Sequence, residues 1–272
     1  MEVRPVAGEI GAELIGPRLC DLDDAGVLQL RRALADHGVL FVRDQRLTPA
    51  EHRGFALRLG TLHSHPAYPT ADFPEVTVLH HDAASPSKID TWHTDMTFMA
   101  EPPEVSILQA NVVPARGGDT MWASCGAAWD ALSPEMRRFV EPLHAVHDFR
   151  WGFKESLSEP GGAERLAPAI AANPPMVHPV VRQHPETGRK LLYINRLFTT
   201  HIVGLTPAES RSVLGFLFDH AERPEQTVRL RWGAGDVAIW DNRATWHRPV
   251  NDHGAQTRSL QRVTVRRLAA LA

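Results

Sequence analysis

The segment Trp92-His93-Thr94-Asp95-Met96-Thr97-Phe98 offers an imidazole and a carboxylate two residues apart. Far downstream, Asp241-Asn242-Arg243-Ala244-Thr245-Trp246-His247 offers a second imidazole. Two His and one carboxylate on one face of an ion leave three coordination positions open, the ligand set of non-haem Fe(II) oxygenases. The same donors also suit the catalytic Zn2+ of a hydrolase. A His-x-Asp pair is weak by itself, because the chain carries another, His80-His81-Asp82. In an extended strand either pair puts both side chains on one face. Spacing alone leaves open which pair binds an ion, and which of the 15 His completes the set.

Arg258 and Arg262 form a second constellation. In a strand their even spacing puts both on one face. Two inward guanidinium groups are costly unless each meets an anion. Arg suits a carboxylate because its planar fork binds bidentately and stays charged.

These residues need a scaffold. Leu22 to His37 has helical apolar spacing and is closed by Gly38, before a buried strand Val39-Leu40-Phe41-Val42. Thr48-Pro49-Ala50-Glu51 and Thr206-Pro207-Ala208-Glu209 combine N-cap, Pro at the first helical position and capping Glu. They predict helices to Leu59, capped by Gly60, and to about Ala221; Ser133-Pro134-Glu135 predicts another. Strand-like runs cover Val76 to His80, Val105 to Val113, Val177 to Arg182, Lys190 to Asn195, Thr227 to Trp232, Val237 to Trp240 and Ser259 to Arg267. Pro185-Glu186-Thr187-Gly188 and Gly233-Ala234-Gly235-Asp236 separate pairs of them as turns. Many short strands with a few helices predict a β-sandwich or jelly roll, not a wound βαβ sheet. Lys154 to Pro175, rich in Pro, Gly, Ala and Glu, is expected to be a loop or irregular insertion close to the site. With no visible linker, 1–272 is expected to be one domain.

With 43% hydrophobic and 22% charged residues the chain is ordinary for a soluble protein. A net charge of −3 argues against nucleic acid or anionic membrane as the main partner. No apolar run approaches the roughly 20 residues that span a bilayer. The first residues lack the basic and apolar regions of a signal peptide. Only Cys20 and Cys125 are present, so a reducing compartment, the cytoplasm, is expected.

The Trp92 to Phe98 segment resembles the W-H-T-D-x-T-F motif of the taurine dioxygenase (TauD/TfdA) family of Fe(II)/2-oxoglutarate-dependent dioxygenases. Gly235-Asp236-Val237-Ala238-Ile239-Trp240-Asp241-Asn242-Arg243, then His247, is similar to the family's G-D-x-x-x-W-D-N-R-x-x-x-H. The resemblance runs from about Val6 to Arg266. It implies a mainly β fold with flanking helices, a double-stranded β-helix (jelly roll, cupin-like). It implies His93, Asp95 and His247 as Fe(II) ligands, with 2-oxoglutarate and O2 as cosubstrates. His80 and Asp82 match no ligand position. Arg258 matches the cosubstrate-binding Arg, and Thr120, in Gly117-Gly118-Asp119-Thr120, its hydroxyl partner. Arg262 and His65 match contacts to a substrate sulfonate. Tyr68, Phe153 and Phe198 match other pocket positions, with core packing the alternative for the two Phe and for Trp240.

Ile89 departs from the family pattern. It stands where the taurine enzyme has an Asn beside the substrate amine, and an apolar side chain cannot accept that amine's hydrogen bonds. The leading reading is hydroxylation of a small anionic organosulfonate, releasing sulfite and an aldehyde. An alkylsulfatase or an aryloxyalkanoate dioxygenase is the runner-up. A zinc hydrolase and a non-catalytic jelly-roll binding protein are the readings from other classes. The resemblance also implies a homo-oligomer, dimer or tetramer.

Overall fold

The computed structural model describes residues 1–16, 18–64, 70 and 72–270. In chain order the elements are β1 (Glu2–Pro5), β2 (Ala12–Ile15), α1 (Asp24–His37), β3 (Val39–Val42), α2 (Pro49–Leu59), β4 (Gly60–His63), β5 (Val76–His81), β6 (Val105–Val112) and β7 (Thr120–Ser124). Next come α3 (Cys125–Asp130), α4 (Pro134–Val140), β8 (His144–His147), α5 (Phe149–Gly152), α6 (Lys154–Ser158), α7 (Gly162–Ala172), β9 (Met176–Pro179), β10 (Val181–Gln183) and β11 (Lys190–Leu192). The last are β12 (Thr199–Ile202), α8 (Pro207–Ala221), β13 (Thr227–Leu230), β14 (Val237–Asp241), β15 (Thr245–Pro249) and β16 (Arg258–Leu268). The fold is mainly β with flanking helices. Contacts group it into two units: Met1–Asp90, Pro103–Ser124 and Pro224–Ala272, and separately Thr91–Pro102 and Cys125–Arg223.

In the first unit a large sheet runs β1-β2-β3-β14-β6-β16-β4, with β5 also paired to β16. Its middle strands are apolar on both faces, which is why they read as continuous hydrophobic runs. Leu40, Val42, Ile107, Val237, Ile239, Val263 and Val265 face one way, against Leu30 and Leu34 of α1 and Phe55 and Leu59 of α2. Val39, Phe41, Leu108, Ala110, Ala238, Trp240 and Leu260 face the other way. There they meet Trp122, Val228 and Leu230 of a three-stranded sheet, β13-β7-β15. Trp122 is fully buried, with ring centroids 5.4 Å from Phe41 and 5.8 Å from Trp240. Truncating a side chain of this size in a core costs about 3–5 kcal/mol.

The second unit holds two small sheets, β12-β8-β9 and β10-β11. Both predicted capping boxes form: Thr48 with Glu51 starts α2 and Thr206 with Glu209 starts α8. Gly38 ends α1 at φ 71°, a left-handed conformation cheap only for Gly.

Two expectations fail here. Lys154 to Pro175 is not an irregular loop, because α6 and α7 occupy most of it. Leu166, Ala169 and Ile170 recur at helical spacing and pack with Leu157 against Phe98, Phe149 and Phe198. The Ala that made the composition look loop-like are strong helix formers. Val177 to Arg182 is not one strand either. Met176–Pro179 pairs with β8, whereas Val181–Gln183 pairs with β11. The Val180 amide donates to Leu143 and its carbonyl accepts from Tyr193, so the chain changes partners there. Among the described residues no helix is long and apolar enough to cross a membrane.

Candidate functional site

His247 is delivered by regular structure. β15 pairs with β7 so that His247 lies opposite Trp122. Its imidazole packs on the Trp240 ring, centroids 4.8 Å apart. The turn before it is fixed by polar residues of the D-N-R stretch. Asp241 accepts from the Arg243 amide at 2.8 Å and from its guanidinium, and Thr245 Oγ1 donates to the Asp241 carbonyl at 2.8 Å. Asn242 accepts from Trp240 Nε1 and donates to Ser106 Oγ. At the other end of β14 the Asp236 carboxylate takes the Gly233 and Asp44 amides and Arg43. The long second motif is thus mostly scaffold for one imidazole.

His93 and Asp95 arrive differently. Strand alternation does not join them, because the chain turns at Asp95 and Met96 has φ 50°. His93 Nδ1 donates to the Thr91 carbonyl at 2.9 Å, which leaves Nε2 as the basic nitrogen. His93 Nε2 and Asp95 Oδ1 lie 3.8 Å apart, beyond hydrogen-bond reach.

His93, Asp95 and His247 are all buried and each offers one ligand atom, all within 4.8 Å of one another. Two imidazoles and a carboxylate, with one imidazole's other nitrogen tied to a carbonyl, form a donor set that fits Fe(II). The copy at His80 and Asp82 does not. Asp82 is committed to the Ala84 and Ser85 amides at 2.9 and 2.8 Å and to His80 at 3.3 Å. No third ligating group joins that pair among the described residues.

Arg258 is 5% exposed. Its Nε donates to the Gly118 carbonyl at 2.9 Å and its Nη2 to Thr120 Oγ1 at 3.1 Å. Among the described residues it has no carboxylate in contact; the nearby Asp119 is bound by Arg229 at 2.6 Å. Burial pushes the Arg258 guanidinium down to about 10, so it stays charged at neutral pH. Thr120 Oγ1 also accepts from Trp232 Nε1 at 3.0 Å. With two donors on its oxygen, the hydroxyl hydrogen must be donated outward. Arg258 and Thr120 thus present donors only, which suits an anionic oxygen. The turn at Gly118 has φ 73°, and a Cβ there would stand 3.2 Å from Arg258 Cδ and 2.9 Å from Pro114 Cγ. Asp252 Oδ1 holds the Gly118 amide at 2.8 Å.

Arg262 is half-buried on β16, opposite Thr77 of β5 and Leu108 of β6. The unbroken β5 register puts it on the Arg258 face, as the spacing predicts. Ile89 is half-buried, its carbonyl accepting from Asn251 Nδ2 at 2.8 Å. Phe153 stacks on Phe149 at 4.3 Å, and Phe198 packs edge-on to Phe98 at 5.0 Å. Both belong to the aromatic cluster behind Met96 and Phe98, which gives each a packing role. His65 and Tyr68 lie outside the described residues. Sequence reasoning missed Trp232 and Asp252; the first reads as the end of a strand and the second as a loop acid.

The chain matches the family model described as "Taurine catabolism dioxygenase TauD, TfdA family" over residues 2–264. An alpha-ketoglutarate-dependent sulfate ester dioxygenase from Pseudomonas putida is 41% identical over 97% of this chain and 89% of its own. An alkylsulfatase from Acinetobacter baylyi is 38% identical over 97% and 84%. The crystal structure of a taurine dioxygenase from Burkholderia xenovorans superposes with a TM-score of 0.83 at 39% identity, covering 97% of this chain and 88% of that one. The activity class these matches define is that of an alpha-ketoglutarate-dependent dioxygenase, an oxidoreductase. The chain belongs to the TauD, TfdA family.

Proposed function

We propose that this dioxygenase binds Fe(II) through His93, Asp95 and His247, and the far carboxylate of 2-oxoglutarate through Arg258 and Thr120. The observation that carries the reading is the buried Arg258 guanidinium, in contact only with neutral acceptors and beside a hydroxyl obliged to donate. A zinc hydrolase has no use for such a carboxylate cradle, and a non-catalytic binding protein has no use for an intact His93, Asp95 and His247 set with both Arg258 and Arg262. We read the two facing sheets of the first unit as a double-stranded β-helix, and residues 1–272 as one functional domain.

Fe(II) bound at these ligands supplies chelation of the keto acid and activation of O2 for hydroxylation of a substrate carbon. The chain's own residues bind and orient. Arg258 and Thr120 set the reach of 2-oxoglutarate. His93 is held in the tautomer that offers Nε2, and the Trp240 ring orients His247. Arg262, on the same face of β16 as Arg258, is assigned the anionic group of the substrate. Ile89 makes an amine-bearing substrate unfavourable.

The substrate class is a small sulfate ester or sulfonate. Ile89 and the names of the Pseudomonas and Acinetobacter relatives favour the sulfate ester; the Burkholderia enzyme favours the sulfonate. For a primary sulfate ester, 2-oxoglutarate and O2 are consumed and succinate and CO2 are formed. The hydroxylated carbon then expels sulfate as its hydroxyl proton is lost, leaving an aldehyde. The test is succinate formation with parallel detection of sulfate and sulfite across alkyl sulfates, sulfonates and aryloxy acids. Sulfate release from alkyl sulfates is the expected result. Stoichiometric succinate with an aryloxy acid alone would overturn the assignment.

A further inference from the structure

The turn carrying Asp95 is strained and over-determined. Met96 adopts φ 50°, a left-handed conformation that a long side chain rarely holds without enforcement. The next residue, Thr97, is 1% exposed and is gripped on both its side chain and its backbone. Asn195 Nδ2 donates to Thr97 Oγ1 at 2.9 Å, and His147 Nδ1 lies 2.8 Å from the same oxygen. Asn195 and His147 are both fully buried. Thr97 Oγ1 accepts from Asn195 and shares a second hydrogen bond with Nδ1 of the neutral His147. Burial, His178 and Arg182 all favour that neutral imidazole. Asn195 is itself fixed, its Oδ1 accepting from the Phe198 amide at 2.9 Å.

The backbone is gripped by another histidine. His178 Nε2 lies 2.8 Å from the Thr97 carbonyl and 3.0 Å from the Met99 carbonyl, so this nitrogen carries the hydrogen. Its Nδ1 accepts from Arg182 at 2.6 Å, and the Arg182 guanidinium lies 3.8 Å over the Tyr193 ring. Three polar side chains, from β8, β9 and the segment before β12, thus converge on Thr97, and Arg182 of β10 holds one of them. That is a large commitment of polar groups to one buried turn, since each must be satisfied or costs stability.

We propose that His147, Asn195, His178 and Arg182 act through Thr97 as a clamp that keeps Met96 left-handed and so aims the Asp95 carboxylate. They are positioning residues for the metal. The inference rests on the reading that Asp95 is a ligand, and it assigns roles to residues outside the ligand set.

The test is a double-mutant cycle read as Mn(II) affinity, from the EPR signal of the free ion, on the folded metal-free chain. Thr97→Val removes the hydroxyl and should weaken Mn(II) binding by about 10–100-fold, the usual range for groups that orient a ligand. Thr97→Ser should restore it. In a Met96→Gly background the left-handed turn needs no enforcement, so Thr97→Val should then cost less than about threefold; the packing lost with the Met side chain cancels within the cycle. His147→Phe, run in the same cycle, serves if Thr97→Val fails to fold. Asp95→Ala separates the two readings. If it leaves Mn(II) affinity unchanged, the ligand assignment falls and takes the clamp with it. If Asp95→Ala abolishes binding but Thr97→Val does not weaken it, or weakens it equally in both backgrounds, the clamp alone is wrong.

Discussion

The first unit and the Thr91–Pro102 segment solve the same problem in opposite ways. His247, Thr120 and Arg258 sit on paired strands, where register sets the face each side chain takes and a core of Trp122, Trp240 and Leu260 supplies rigidity. His93 sits at a single β-bridge position and Asp95 on the turn that follows, outside any strand, and their direction is set by side-chain hydrogen bonds and one strained residue. Strand-borne groups should therefore tolerate loss of neighbouring hydrogen bonds, whereas turn-borne groups should not.

The largest effect expected on the strand-borne side comes from Arg258→Gln. It keeps bulk and hydrogen bonding but removes the charge, and hydrogen bonds to charged groups are worth about 1.5–3 kcal/mol. The KM for 2-oxoglutarate should rise about 10–100-fold, with little change in metal affinity. Gly118→Ala should follow, because a Cβ meets Arg258 and Pro114 at an unfavourable φ; weakened 2-oxoglutarate binding in a folded protein is the expected readout. Trp232→Phe removes one neutral hydrogen bond and should raise the same KM by about fivefold, from about 1 kcal/mol. If Trp232→Phe lowers metal affinity as much as Thr97→Val does, the contrast between the two halves fails.

Each unit carries a buried His that resists protonation: burial pushes His52 of the first unit down from 6.5 to about 3, and His147 of the second likewise. Burial pushes His147 down from 6.5 to about 3, helped by the nearby His178 and Arg182. The unfolded chain takes up a proton that the folded chain excludes, so stability falls as pH drops from about 6.5 toward 3. The slope is up to about 1.4 kcal/mol per pH unit for one group. Denaturant midpoints across that range check it: His147→Phe should make the profile shallower, with the part owed to His52 remaining.

Much of this was legible in the chain. The capping boxes at Thr48 and Thr206 and the ends at Gly38 and Gly60 are local chemistry, readable without knowing the fold. The long motifs around Asp95 and His247 pointed to His93, Asp95 and His247 rather than to His80 and Asp82, which spacing alone could not do, and the structure brings those three together. What stayed hidden depends on contacts distant in sequence. Trp232 acquires meaning only when it meets Thr120, and His147, His178 and Asn195 only when they converge on Thr97. Lys154 to Pro175 misled because its Ala and Leu need Phe98, Phe149 and Phe198 to become a helix face.

The most direct measurement is anaerobic addition of Fe(II) and 2-oxoglutarate, followed by visible absorption. A weak charge-transfer band should appear with the wild-type chain, vanish in His93→Ala and survive in His80→Ala. No band from the folded wild-type protein, or a band that persists in His93→Ala, would contradict the account.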